Sequence, residues 1–185
     1  LTPDRLLRWW PLVGAAVMIL LGWAVGRGST PLDDWFLAVG ADVGRFRRVL
    51  LVPVRPPVLA AIAAASLVLS LWRRQWWLAA AVVACPVLAI TVTRVLKPVF
   101  GRDLEGGLAY PSGHTAALVA VVGMAVLVGG ARRWMIALGA AVVAIGMVGV
   151  SMTFHYFTDT VGSLFFSSGL VTAAALWTPR DPKST

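Results

Sequence analysis

Ionisable side chains are scarce in this chain, and the scarcest kinds are the most informative. Its 185 residues include one cysteine, Cys85, two histidines, His114 and His155, and eight acids against sixteen lysines and arginines. A lone cysteine cannot close an internal disulfide. Two histidines, one cysteine inside an apolar run and scattered acids do not make a zinc ligand set, and no paired carboxylates suggest a two-metal centre. The expected chemistry therefore uses no metal and no cofactor. Charged residues are only 13% of the chain and mean hydropathy is +0.83, which excludes an ordinary soluble fold. The net charge of +8 does not indicate nucleic acid. The basic residues are dispersed, many in pairs at the ends of apolar runs, with no basic stripe carrying interleaved aromatics. Anionic lipid head groups fit that pattern better.

What the chain has instead is long apolar runs. Six stretches approach the roughly 20 apolar residues that a bilayer core demands: 9–26, 54–72, 76–94, 114–131, 134–153 and 160–178. With spans this long and links this short, helices satisfy the backbone amides within lipid. The expected fold is all-α, a polytopic six-transmembrane-helix bundle forming one membrane-embedded domain over 1–178, with a polar and disordered tail at 179–185. The first run, preceded by Arg5 and Arg8, has the form of a signal peptide, but five more runs follow it, and it is read as a retained helix. Glycines such as Gly123, Gly139, Gly146 and Gly149 permit close helix packing, within one bundle or between copies in a homo-oligomer.

Short links at Arg73-Arg74 and Arg132-Arg133, the chain after Trp177 and the N-terminus all fall on one face of such a bundle. Trp9, Trp10, Trp72, Trp76, Trp77, Trp134 and Trp177 cluster at the same ends, as in an interfacial belt. The other face receives 27–53, 95–113 and 154–159, so both histidines are expected on one side. Lysine and arginine divide evenly between the faces. Taking the tight Arg pairs as the cytoplasmic signal makes the histidine face extracytoplasmic, in a bacterial cell membrane. On that face Leu32, Trp35, Phe36, Val39, Val43, Phe46 and Leu50 follow helical spacing, as an interfacial amphipathic helix would. Thr30 is placed to cap it, Pro31 suits its first position, and Asp33 can reach back as in a capping box. Such a helix either covers the bundle mouth or captures lipid.

Three segments on this face carry chemistry. In Tyr110-Pro111-Ser112-Gly113-His114, Ser112 is a natural N-cap for the run that follows. A helix starting there directs free amides and a positive dipole end outward, where an anion binds. Gly113 admits a phosphate oxygen close to the backbone, and His114 can reach the same anion; a capped helix with an incidental histidine reads equally well. In His155-Tyr156-Phe157-Thr158-Asp159, a helix would place His155 and Asp159 on one face. The carboxylate would then fix the imidazole tautomer and leave the other nitrogen as nucleophile or base, although many such pairs are simple surface ion pairs. From Arg94 through Lys97 to Arg102, cations leave a span end, suited to phosphate or to snorkelling toward head groups.

Lys97, then Tyr110-Pro111-Ser112-Gly113-His114, then His155-x-x-x-Asp159 on a six-helix membrane chain resemble the type 2 phosphatidic acid phosphatase family. The resemblance implies hydrolysis of a lipid phosphate or diphosphate, of phospholipid or polyprenyl type, through a phosphohistidine. By that similarity His155 is the nucleophile, Asp159 orients it, His114 protonates the leaving alkoxide, and Lys97, Ser112 and the Gly113 amide hold the phosphate. The chain departs from the family at two places. Where the first motif has Arg-Pro it has Leu104 and Glu105, and where the third has Ser-Arg it has Val148 and Gly149. Arg102 is expected to replace the first missing arginine, with Arg94 or Arg55 replacing the second. The departures motivate an alternative, a catalytically impaired relative that binds lipid phosphate or serves as a membrane-complex subunit. A transporter is a third reading, without the matched inverted repeats that would support it. Asp159→Asn is expected to preserve folding and cut turnover.

Overall fold

The computed structural model describes residues 3–177, and side chains from Leu7 onward; the predicted tail at 179–185 and the Arg5 side chain lie outside the described residues. The chain is all-helical. In order it forms α1 (Pro3–Val25), α2 (Pro31–Val43), a 3-10 turn (Gly44–Phe46), α3 (Arg47–Leu50), a second 3-10 turn (Val52–Val54), α4 (Pro56–Trp72) and α5 (Trp76–Phe100). A hairpin of two short strands, β1 (Asp103–Leu104) and β2 (Gly107–Leu108), precedes α6 (Gly113–Val128), α7 (Arg133–Ser151) and α8 (Phe157–Trp177). The strands pair antiparallel, Asp103 with Leu108 and Leu104 with Gly107. Glu105 and Gly106 at the tip both have positive φ, the requirement of a tight primed turn.

Among the described residues, four helices are long and apolar enough to cross a membrane: Leu7–Val25 of α1, α5, α7 and α8. The other two apolar helices, α4 and α6, are shorter, with 17 and 16 residues. The centre of the bundle is α6, whose residues Thr115 to Val122 are all buried. Leu78, Val82 and Cys85 of α5 pack beside its far end at Met124 and Val128. Val54 and Val150, with Leu59, Val142 and Val143 around them, pack on Leu118 and Val122. Small residues set the directions. Gly139 of α7 faces Val122 and Val126, and Gly146 faces Leu118, so α6 and α7 run antiparallel. Gly123 of α6 meets Val171, while the Ser112 amide reaches the Asp159 carbonyl, so α6 and α8 run parallel. On the outside, Gly14 of α1 lies on the Phe165 carbonyl and Gly169 of α8 lies on Pro11, an antiparallel pair. At the tryptophan end Arg73 donates to the Val128 carbonyl at 2.8 Å, satisfying an orphan acceptor where α6 ends.

Trp9, Trp72, Trp76, Trp77, Trp134 and Trp177 are all exposed, and Trp10 instead donates its indole N–H to Ser168. The α2 cap forms as its sequence predicts. Asp33 N–H donates to Thr30 Oγ1 at 3.2 Å, and Thr30 N–H donates back to the Asp33 carboxylate at 2.9 Å. The predicted amphipathic helix over 32–50 is not continuous, however. It breaks at Gly44, whose φ of 57° the interior of a right-handed α-helix does not accommodate, and α3 resumes as a single turn. That break brings α3 against α7, where a Cβ on Gly149 would come within 2.6 Å of the Leu50 backbone carbonyl. Leu32, Trp35, Phe46 and Val49 remain exposed along this segment.

Candidate functional site

The two histidines meet although 41 residues separate them, with His114 Nδ1 lying 3.5 Å from His155 Nε2. His114 sits in the first turn of α6, one residue past the N-terminal glycine. Ser112 caps that helix, its hydroxyl oxygen accepting from the Thr115 amide at 3.3 Å. The amides of Gly113 and His114 come too early in the helix to have an intrahelical acceptor. A Cβ on Gly113 would meet only Thr93 Oγ1, at an ordinary 3.7 Å, so packing does not demand glycine there. Ser112 itself is fully buried and its hydroxyl donates to Thr115 Oγ1. It shapes the helix start and does not face the open cleft.

His155 is not on a helix. It lies in the tight turn between α7 and α8, its amide donating to the Val150 carbonyl, and α8 begins two residues later. The expected helical pairing of His155 with Asp159 therefore takes another form: the chain folds back so that Nδ1 stands 3.7 Å from Asp159 Oδ2. That distance is an ion-pair approach and too long for a hydrogen bond. His155 Nδ1 is buried with no hydrogen-bond partner among the described residues. Asp159 Oδ2 instead accepts from the Tyr156 amide at 3.0 Å.

Behind the imidazole lies a closed electrostatic network. Arg102 is fully buried and donates to Asp159 Oδ1 at 2.6 Å, Thr158 Oγ1 at 2.7 Å, Asp33 Oδ2 at 2.8 Å and the Gly28 carbonyl at 2.9 Å. Its guanidinium also lies over the Tyr156 ring, 4.2 Å from the centroid. Four of the five N–H groups of this arginine are thus committed within the protein. This corrects the expectation that Arg102 binds substrate phosphate: it is the counter-ion of two buried carboxylates and does not line the cleft. Burial works against the charge on Asp33, but hydrogen bonds from Thr158, Thr30 and Arg102 outweigh it and hold the carboxyl below its usual range. Burial pushes the Tyr156 and Tyr110 phenols up. The Tyr110 hydroxyl donates to the Met18 carbonyl, which fixes the chain just before Ser112. Neither Asp33 nor Thr158 was singled out by sequence for this role. The available signal was the scarcity of acids, since an aspartate in so apolar a chain needs a partner.

In front of the histidines opens a cleft of about 490 Å³ between α4, α5 and α6. Its polar lining is Arg94, Lys97, Gly113, His114 and His155, and no carboxylate among the described residues faces it. Its remaining walls are apolar, among them Leu59, Ala63, Pro86, Ile90 and Val121. Because α5 continues to Phe100, three residues past Lys97, Arg94 and Lys97 are on one helix face instead of in a loop past a span end. Lys97 donates to the Leu108 carbonyl of the hairpin. Arg94 is exposed and has no hydrogen bond or ion pair among the described residues. Arg55 stands at the N-cap position of α4, without a side-chain cap bond, and is not part of the lining. Phe154 stacks on His114, ring centroids 5.4 Å apart.

Comparison with protein-family models, with curated proteins and with solved structures finds no match for this chain. The two positions at which the chain departs from the resembled motifs have structural counterparts. Leu104 and Glu105 belong to the hairpin and its turn. Gly149 lies where the Leu50 backbone leaves no room for any side chain.

Proposed function

We propose that this chain is a membrane-integral, metal-independent phosphohydrolase of lipid phosphates or diphosphates, a divergent type 2 phosphatidic acid phosphatase. The observation that carries the reading is the cleft: two facing imidazoles, a helix N-terminus and two cations, opening onto apolar walls with no carboxylate among them.

His155 Nε2 attacks phosphorus, the bond to the leaving oxygen breaks, and His114 delivers a proton to that oxygen. Asp159 stabilises the charge that develops on His155, and water then hydrolyses the phosphohistidine. Lys97 and the Gly113 and His114 amides neutralise the phosphoryl oxygens, the kind of electrostatic support that is commonly the largest catalytic contribution. The imidazoles stand too close for phosphorus to lie between them, so the His114 ring swings toward the leaving oxygen as substrate enters.

The six-span reading has directional support. If α5 and α7 cross the bilayer, the antiparallel α6 between them crosses it back. At about 1.5 Å per residue, α4 and α6 reach about 25 Å, short of a core of roughly 30 Å. Of the two, α6 is enclosed by its neighbours over 115–122. The histidine face is assigned to the extracytoplasmic side of a bacterial cell membrane because the tight Arg pairs lie at the other end.

A second reading, binding without turnover, is favoured by one specific observation: Arg102 already neutralises Asp159, and the carboxylate stands 3.7 Å from the imidazole. Phosphate release in detergent with a chelator present separates the two. The substrates are phosphatidic acid, phosphatidylglycerol phosphate and polyprenyl mono- and diphosphates, with His155→Ala as control. Chelator-resistant release that the variant lowers by about a thousandfold or more supports the hydrolase. No release from any of them by folded protein rejects it for the binding reading.

A further inference from the structure

The cleft has a long axis, and its cations are not at one depth. On α5 the lining runs from Lys97 at the histidine end through Arg94 and Ile90 to Pro86, and on α6 from Gly113 to Val121. At about 1.5 Å per residue these are paths of roughly 16 Å and 12 Å. The polar lining is confined to the histidine end, and every residue beyond Arg94 is apolar. Arg94 stands one turn deeper than Lys97, about 4.5 Å along the axis, at the border between the phosphate-binding end and the apolar trough. Lys97 is anchored to the Leu108 carbonyl, whereas Arg94 has no partner among the described residues. A cation set against apolar walls needs an anion or a hydrated cavity. Arg94 is exposed in the open cleft, and a monophosphate held by His155, Lys97 and the α6 amides would leave it free to meet a second anion.

We infer that the substrate is a single-chain lipid diphosphate, whose terminal phosphate sits at His155 and whose inner phosphate is bound by Arg94. This deepens the hydrolase reading and rests on it for the turnover step alone. With the chain in the trough, the inner phosphate lies between tail and reacting group, which is where Arg94 stands. The His155 Nε2–phosphorus bond forms as the bond from phosphorus to the bridging oxygen breaks. The electron pair stays on the bridging oxygen of the departing lipid monophosphate. Arg94 neutralises that oxygen's growing charge, so it contributes more to the transition state than to the ground state. A lipid monophosphate leaves as an alkoxide with no second anion, and Arg94 gives it nothing comparable. Arg94 is thus the residue that discriminates between the two classes.

The test uses two probes with the same tail, farnesyl diphosphate and farnesyl monophosphate, and the full chain in detergent micelles. Phosphate release is measured for wild type, Arg94→Gln and Arg94→Lys. Binding of both probes is measured for His155→Ala with and without Arg94→Gln. The expected result is a loss of kcat/KM of roughly 100-fold on the diphosphate in Arg94→Gln, under about threefold on the monophosphate, and partial rescue by Arg94→Lys. In the His155→Ala background the diphosphate binds about tenfold tighter than the monophosphate, and Arg94→Gln removes the preference. Because Arg94 has no partner among the described residues, the variants keep the wild-type melting temperature. Equal losses on both probes, or none, overturn the inference. If wild type releases phosphate from neither probe but binds the diphosphate with an Arg94-dependent preference, the diphosphate site stands and the hydrolase reading falls.

Discussion

Two groups of charges lie on either side of His155 in this protein, and they are treated in opposite ways. Behind His155, Arg102, Asp33 and Asp159 are fully buried and bonded to one another, with Thr158 and the Gly28 carbonyl completing the set. In front of it, Lys97 has one backbone acceptor and Arg94 none among the described residues, beside a cleft that no acid lines. A buried ion pair is a weak source of net stability, but it is costly to break from one side. An unpaired cation in an open cleft does little for the fold and is free to meet an anion. The difference teaches which cations are structural and which are available. The network joins α2 to α8 and holds the carboxylate beside the imidazole, and the cleft is left to the ligand.

The comparison breaks most visibly at Arg102. Arg102→Ala strands two buried carboxylates and is expected to cost about 3–5 kcal/mol, read as a large fall in melting temperature by thermal unfolding in detergent. Asp159→Asn strands Arg102 from the other side, so it is expected to lower stability as well as turnover. That revises the sequence-based expectation of an intact fold, because Asp159 is half of a buried ion pair as well as the neighbour of His155. A melting temperature unchanged in both variants would remove the network from its structural role.

The cleft side gives the converse. Lys97→Gln is expected to cut kcat/KM by about 100-fold while shifting stability by no more than about 1 kcal/mol, since only one backbone acceptor is lost. A stability loss as large as that of Arg102→Ala would place Lys97 with the network. Smaller again is the effect of acid. The Asp33 carboxyl is held below its ordinary 3.8 in the folded protein, so its contribution is fully present above that pH. That contribution is lost as pH falls below 3.8 through the folded value. Thermal unfolding of wild type and Asp33→Asn during acidification should converge, and a constant gap between them would contradict the pairing. The least effect is expected for Thr30→Ala, about 1 kcal/mol from loss of the α2 cap, measured as faster amide exchange at the start of that helix.

Much of this was legible in the chain because it is local. Thr30, Pro31 and Asp33 lie within one turn, and their spacing alone predicts the cap that forms. Ser112 before an apolar run predicts the start of α6 in the same way. The two histidine motifs fall at the same end of any bundle that alternates direction at the observed links. The errors arose where a residue's partner is distant. Arg102 resembled a free cation, but its partners lie 57 and 69 residues away in sequence. His155 and Asp159 suggested a helical pair, but α8 starts only at Phe157. The break at Gly44 was obscured by a hydrophobic period that continues across it.

The sequence by itself determined a helical, strongly apolar chain, the caps of α2 and α6, and the end at which the histidines meet, while it counted six spans where four of the described helices are long and apolar enough for a bilayer. These follow from propensity and from a periodicity of a few residues, which any stretch carries within itself. Tertiary structure alone decided that Arg102 is bound up with Asp33 and Asp159, that the Leu50 backbone closes on Gly149, and that Arg94 and Lys97 are left facing the cleft. Whether a charge is paired depends on which distant groups the packing of α2, α7 and α8 brings within 3 Å of it, and no local pattern records that.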